Sequence, residues 1–359
     1  TCTKGGTLAF TTSGTSAITD SSSGQDLGAV SATGTNKILS TSSSVKLTSV
    51  TLQGSDDTLN ITGDVLTITG TGTPLTLNGG TFTVTSSSVV YAGEGATNIT
   101  NTTFNNLQLA PASTGHTFTL GTGGSQTITT NGDFTVNDGS GTETVNVSAA
   151  VNHPILDVNG DFLVNNYGTF TGGDGTITVG TDTTLNGDFT LESGGTWTYG
   201  SGTLILDGGD DSNLVYFNDK NGTKQNMGNV QIGASPATTN LKSDMSGTSL
   251  TIATGDRLNT RGWDVTMTTS VTCVGTCTLD TTDTGGVGYA NNGTIITAGT
   301  DWTMSATGTF TLDTDAGTPT KNYFNGTGNQ LVTTGGKSFY KFEINNTGNP
   351  NDNIEVTGS

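Results

Sequence analysis

Few side chains in this 359-residue sequence could perform chemistry. The two histidines, His116 and His153, lack the spacing of a metal site or a Ser-His-Asp triad. His153 precedes Pro154, which is typical of a turn.

Acidic residues do cluster, and calcium prefers carboxylate oxygens as ligands. The clusters are Asp207, Asp210 and Asp211; Asp280 and Asp283; and Asp313 and Asp315. No EF-hand loop or Gly-Gly-x-Gly-x-Asp nonapeptide occurs, so we interpret these acids as solvated turn residues, with calcium as the one candidate ion. Since the histidines also lack the pattern of a site, we expect no catalytic residue and no cofactor.

The three cysteines are the other chemically active group. Cys273 and Cys277 flank Val274-Gly275-Thr276, so a disulfide could close a small loop around a glycine corner. Two unpaired thiols are the alternative. Such a disulfide fits an oxidising compartment. Cys2 is left over, and an odd cysteine near a terminus predicts an intermolecular link.

Composition excludes several classes of fold and partner. Hydrophobic residues make up 30% of the chain and charged residues 11%, against typical values of about 45–50% and 25%. Good helix formers are scarce, which excludes helical bundles and Rossmann enzymes. Lys and Arg number 11 against 30 Asp and Glu, a net charge of −19. We therefore expect no nucleic-acid partner and no membrane insertion.

Short alternating runs recur along the chain and predict β-strands. Leu66-Thr67-Ile68 and Ile177-Thr178-Val179 are examples, with apolar residues at every second position. Asn-Gly, Gly-Gly and Asp-Gly pairs separate the runs and mark turns. The pattern indicates an all-β chain of many short strands rather than a disordered polymer.

An internal repeat organises these strands. Asn131-Gly132-Asp133-Phe134 is echoed at Asn159–Phe162 and again at Asn186–Phe189, at nearly equal intervals. Eight residues after the second and third aspartates begin Thr169-Phe170-Thr171 and Thr196-Trp197-Thr198. One unit is therefore three short strands joined by glycine-rich corners. This predicts a parallel β-solenoid (β-helix) with a rung of about 27–28 residues; an array of β-sandwich modules is the alternative.

Stacking of the rungs predicts a core of aromatic side chains. Phe134, Phe162 and Phe189 should form one internal stack, and Phe170 and Trp197 another. A slower period relates Phe104–Leu109, Met227–Ile232 and Phe339–Ile344, which suggests modules of about 115 residues.

The repeat resembles that of the large secreted β-strand-repeat proteins of bacteria and archaea, which are adhesin-like surface proteins with parallel β-helix stretches. The elements that carry the resemblance are Gly187-Asp188-Phe189, Gly195-Thr196-Trp197, Thr203–Gly208 and Phe104–Leu109. It covers residues 44–359 and implies continuous solenoid repeats there with a surface or fibre role. Residues 1–43 fit poorly and read as a Ser/Thr/Gly-rich strand segment, a candidate assembly region.

Three functions compete at this point. We expect a structural subunit of an extracellular filament or surface fibre. Its partner would be itself, because the strand-like ends Gly6–Phe10 and Asn353–Gly358 lack a cap and could stack head to tail. The alternative is that these residues are one ordered stretch of a longer chain whose caps lie elsewhere. The second function is an adhesin, or an ice- or glycan-binding module with ladders of outward threonines. The third is a polysaccharide-active enzyme, disfavoured because β-helix enzymes pair their acids with a basic residue, and arginine occurs only at Arg257 and Arg261.

Overall fold

The chain is all-β in the part that the computed structural model describes: residues 6–21, 24–124, 126–180, 187–208, 215–233, 236–283, 294–313, 319–348 and 353–358. These residues form 41 strands, and no helix is present among them. Most strands have only three to five residues, with buried and part-exposed side chains alternating along them. Such short strands suit a fold that turns a corner after each one.

The first nineteen strands, in chain order, have the following bounds: β1 Thr7–Phe10, β2 Gly14–Ile18, β3 Ala29–Ala32, β4 Lys37–Thr41, β5 Val45–Leu47, β6 Ser49–Leu52, β7 Thr58–Thr62, β8 Val65–Ile68, β9 Leu75–Thr76, β10 Thr81–Thr85, β11 Ser88–Tyr91, β12 Thr97–Ile99, β13 Thr103–Phe104, β14 Asn106–Leu109, β15 His116–Leu120, β16 Thr127–Thr130, β17 Phe134–Val136, β18 Val145–Ser148 and β19 Ile155–Val158.

The remaining strands follow in the same order: β20 Phe162–Val164, β21 Gly168–Thr171, β22 Ile177–Val179, β23 Phe189–Leu191, β24 Thr196–Thr198, β25 Thr203–Leu206, β26 Val215–Asp219, β27 Asn229–Ile232, β28 Thr238–Leu241, β29 Met245–Gly247, β30 Ser249–Ile252, β31 Arg257–Asn259, β32 Val265–Met267, β33 Val271–Cys273, β34 Thr278–Asp280, β35 Ile295–Ala298, β36 Trp302–Met304, β37 Thr309–Thr311, β38 Lys321–Phe324, β39 Gln330–Thr333, β40 Lys341–Ile344 and β41 Ile354–Thr357.

The chain divides into two compact units. The first comprises Thr1–Val158, Leu163–Gly175 and Gly194–Thr196, and the second comprises Asn159–Phe162, Thr176–Ser193 and Trp197–Ser359. In the first unit, successive strands visit three sheets in turn, so that β14, β15 and β16 are followed by β17, β18 and β19 in the same three sheets. The same rotation holds in the second unit for β31 to β33 and β34 to β36.

Each strand pairs with its counterpart one turn away, and the pairing is parallel in each of these pairs. Sandwich modules would instead be built from antiparallel hairpins. The predicted parallel β-solenoid is therefore confirmed, and the alternative of sandwich modules is excluded.

The length of a turn varies more than the repeat suggests. Phe189 pairs with Phe217, one predicted period further along the chain. The turn that joins the paired Val89 and Leu107 is much shorter, and the turn that joins the paired Thr278 and Thr309 is longer. The strands keep their register while the corner loops change in length.

The described part of residues 1–43 also belongs to the stack. Strand β3 pairs with β6 and β4 pairs with β7, both in parallel register. The three segments of the slower period supply β14, β27 and β40, of which β27 and β40 lie in different sheets of the second unit. The boundary between residues 43 and 44 and the division into longer modules stay predictions.

The aromatic residues singled out in the sequence lie in the core. In the second unit, Phe189 stacks on Phe162 and on Phe217, with ring centroids 5.5 and 5.6 Å apart. Trp197 meets Phe162 and Phe189 edge-on at 5.9 and 5.3 Å. In the first unit, Phe170 meets Phe134 edge-on at 6.4 Å. Phe170 and Trp197 thus each contact phenylalanine rings across the interior.

Replacing Phe189 with alanine should therefore lower the free energy of unfolding by about 3–5 kcal/mol, because the ring is fully buried between two others. Thr198→Ala, on the exposed side of its strand, should change it by less than about 0.5 kcal/mol. Thermal or denaturant melts of the two variants check this. Equal losses would mean that the assignment of inward and outward positions is wrong.

Candidate functional site

His116 lies in a small polar cluster that does not have the geometry of a catalytic triad. Its Nε2 is 2.8 Å from the Ser113 hydroxyl and 3.0 Å from a Glu94 carboxylate oxygen. Ser113 also donates a hydrogen bond to Glu94, and this bond is the main reason why the pKa of Glu94 is lowered. In a triad the serine and the carboxylate contact opposite ring nitrogens, whereas here both contact Nε2.

His153 sits at a corner. It has a positive φ of 47°, and its Nδ1 is 2.5 Å from a carboxylate oxygen of Asp174. Both side chains are about half exposed, at 46% and 58%. An exposed pair of this kind contributes little stability, and it brings no nucleophile with it.

The acidic clusters do not assemble into a cation site within the described residues. Asp280 forms an ion pair with Arg257, and Asp313 accepts a hydrogen bond of 3.0 Å from the backbone N–H of Asp283. Asp210, Asp211 and Asp315 lie outside the part of the chain that the structure describes. Within that part, no group of three or more His, Cys, Asp or Glu side chains is placed to hold a metal ion. Calcium binding stays a prediction.

Cys273 and Cys277 are joined by a disulfide across the corner between β33 and β34. Their Cα atoms are 5.6 Å apart, and both residues are buried. Gly275, between them, has a φ of +58°, a conformation that glycine adopts without strain. Cys2 lies outside the described residues.

Reduction of this disulfide should destabilise the second unit. Closing a loop of five residues restricts the unfolded chain by an amount that corresponds to about 2 kcal/mol. We expect the double variant Cys273→Ser/Cys277→Ser to melt at a lower temperature than the oxidised protein, and a reducing agent to have no further effect on the variant. If oxidised protein and variant melt alike, the bond has no structural role.

The aspartate of the repeated Gly-Asp-aromatic motif links neighbouring turns. The backbone N–H of Asp188 donates to Asp161 Oδ1, and the N–H of Tyr216 donates to Asp188 Oδ1, both at 2.9 Å. Asn106 Oδ1 accepts from the N–H of Asp133 in the same way. In each case the side-chain oxygen accepts a hydrogen bond from the backbone N–H of the corresponding residue one turn later. The sequence shows this aspartate only as part of the repeat, so its role as a hydrogen-bond acceptor between turns was not predicted.

These hydrogen bonds between turns can be tested at Asp188. Burial raises its pKa, while the Tyr216 N–H and the Lys242 ammonium, 3.9 Å away, oppose the rise. Because the pKa is higher in the folded state, the stability that Asp188 contributes is greatest at low pH and is lost as the pH rises through the folded-state pKa.

Asp188→Asn keeps the acceptor and removes the buried charge, so it should melt at or above the temperature of the wild type at pH 7, with the difference shrinking below about pH 4. Asp188→Ala leaves the Tyr216 N–H without its acceptor and should cost about 1 kcal/mol at pH 3.5. The cost should be smaller at pH 7, where the wild type also carries the buried charge. Thermal melts at pH 7 and pH 3.5 separate the two. Equal losses for Asn and Ala would contradict the proposed hydrogen-bonding role.

An outward threonine column runs along one sheet of the second unit. In-register pairs join five successive threonines, all part-exposed: Thr251, Thr272, Thr303, Thr333 and Thr357. The column is single, because the residues two positions earlier on the same side are Ser249, Ser270, Asp301, Leu331 and Glu355. A regular two-column threonine array is therefore absent from this surface.

The inward columns of the second unit end on exposed apolar side chains. Phe324 is buried, yet Ile344, which pairs with it in register, is 54% exposed. Val332 is buried, and its partner Val356 is 55% exposed. We call strands β40 and β41 the C-terminal edge. Each has one parallel partner among the described strands.

In the first unit, strand β1 also has an exposed apolar side chain at an inward position. We call β1 and β2 the N-terminal edge. Leu8 is 50% exposed although its partner Val30 is buried. Behind this edge, the fully buried Lys37 donates from Nζ to the Ser16 hydroxyl at 2.6 Å and lies 5.6 Å from the Phe10 ring centroid. A buried lysine in an alternating strand gives no signal in the sequence.

No protein-family model, curated protein sequence or solved structure matches this chain. The resemblance to secreted β-strand-repeat proteins therefore rests on the repeat motifs, and the parallel β-solenoid is the part of it that the structure bears out. No helix in the described part of the chain is long and apolar enough to cross a membrane.

Proposed function

We propose that this chain is a non-enzymatic structural subunit of an extracellular fibre or surface structure, and that it stacks head to tail on copies of itself. The observation that carries the proposal is the exposure of inward apolar side chains on β1, β40 and β41. Leu8, Ile344 and Val356 occupy core positions of their strands and are 50–55% exposed. Apolar side chains exposed at core positions of an edge strand are what we expect at an interaction surface.

The backbone supports the same conclusion. An edge strand presents N–H and C=O groups in the geometry that another strand requires, and proteins ordinarily cover or twist such edges. The two edges consist of different residues, so a contact between them is heterologous. A heterologous contact that does not close into a ring propagates as a filament.

Charge and covalent chemistry agree with an extracellular role. A disulfide such as Cys273–Cys277 persists in oxidising compartments. The net charge of −19 disfavours nucleic acid as a partner and keeps the chain soluble outside the cell. The polar cluster at His116 does not have the arrangement of a catalytic triad, and His153 pairs with an exposed carboxylate.

A ligand-binding role is the second candidate, favoured by the threonine column. Ice binding by a solenoid would use neighbouring columns of matched side chains, but Asp301, Leu331 and Glu355 interrupt the adjacent column. We therefore expect no thermal hysteresis. A clear hysteresis that is lost in Thr303→Tyr would favour the binding role over the structural one.

The edge variant Ile344→Asp should abolish assembly, because it places a charge in the apolar contact. Val151→Asp is the matched control. Val151 is 67% exposed and lies in a loop of the first unit, outside both edges, so this variant removes an exposed apolar side chain without changing an edge strand. Sedimentation and negative-stain microscopy should show filaments for the wild type and for Val151→Asp, and single chains for Ile344→Asp. A wild type that stays monomeric at high concentration would contradict the proposal.

A further inference from the structure

We infer the register of the contact: β1 of a second copy adds in parallel to β40, with Leu8 opposite Phe342 and Phe10 opposite Ile344. This inference rests on the proposed head-to-tail assembly and adds the identity and alignment of the strands that meet. Both strands have four residues, so the register also sets Thr7 opposite Lys341 and Ala9 opposite Glu343.

The alternation of inward and outward positions selects this register. Phe342 pairs with the buried Asn322, and Ile344 pairs with the buried Phe324, so both point toward the core. In β1, Leu8 and Phe10 pair with the buried Val30 and Ala32. A slip of one residue would turn Leu8 and Phe10 away from the core. A slip of two would leave one of the apolar residues on each strand without a partner.

The second strand of each edge has a compatible pattern. In β41, Ile354 and Val356 pair with the buried Gln330 and Val332. In β2, Ser16 and Ile18 occupy the inward positions beside Leu39 and Thr41. Pairing β41 with β2 in parallel therefore sets Ile354 opposite Ser16 and Val356 opposite Ile18, which keeps apolar side chains over the core.

Strand direction favours a C-terminal edge meeting an N-terminal edge over the meeting of two like edges. Two copies of one edge that face each other would bring their strands together antiparallel, whereas β1, β2, β40 and β41 each pair in parallel with their neighbours. A C-terminal edge that meets an N-terminal edge continues this parallel pairing. Strands β1 and β2 also contain no charged residue, so the exposed Lys341, Glu343 and Glu355 meet no like charge there.

Engineered cysteines test the register. In a Cys2→Ser background, the double variant Ala9→Cys/Glu343→Cys places two outward thiols directly opposite each other, with Cα atoms about 4.8 Å apart, within the range of a disulfide. Thr7→Cys/Glu343→Cys is the matched control. In this control the cysteine at position 343 still lies opposite position 9, and its partner at position 7 is two residues further along the strand. The two Cα atoms are then about 8 Å apart, too far for a disulfide.

Under mild oxidation, filaments of the first variant should run as covalent multimers on a non-reducing gel, with at least tenfold more cross-linked chain than the control. Filaments that cross-link in the control instead, or in neither variant, would overturn the register while leaving head-to-tail assembly in place. Failure of both variants and of the Cys2→Ser parent to assemble would overturn the proposed function itself.

Discussion

The structure depends on the in-register stacking of inward side chains from one turn onto the next. A core residue such as Phe189 has as its main neighbours Phe162 and Phe217, which precede and follow it in the same column, and Trp197 across the interior. Because a core residue of this kind contacts mainly residues of neighbouring turns, a turn has little core of its own. Its stability comes from the turns on either side, and the last turn of a column remains half covered.

This dependence explains which features could be read from the sequence. Alternation and the spacing of Phe134, Phe162 and Phe189 predicted the strands, the parallel stack and the buried aromatic residues, since these follow from local period and repeat length. Corner lengths could not be predicted, because the strand register does not fix the length of a corner, which varies from turn to turn. The turn between the paired Val89 and Leu107 is therefore much shorter than the repeat suggests, and no single period describes the chain.

The candidate interface was only partly predictable. The strand-like segments near both ends were visible in the sequence, but the exposure of Leu8, Ile344 and Val356 depends on what lies over them. An alternating apolar pattern looks the same in a covered strand and in an edge strand. The inter-turn role of Asp188 and the burial of Lys37 were missed for a similar reason, because their partners come from other turns.

Electron cryomicroscopy of the assembled protein tests the central claim most directly. If stacking of inward columns drives assembly, strands will continue at a spacing of about 4.8 Å across the junction between two copies, with β1 of one copy beside β40 of the next. A gap in the strand ladder at the junction, or copies that pack side by side with both edges exposed, would contradict the account.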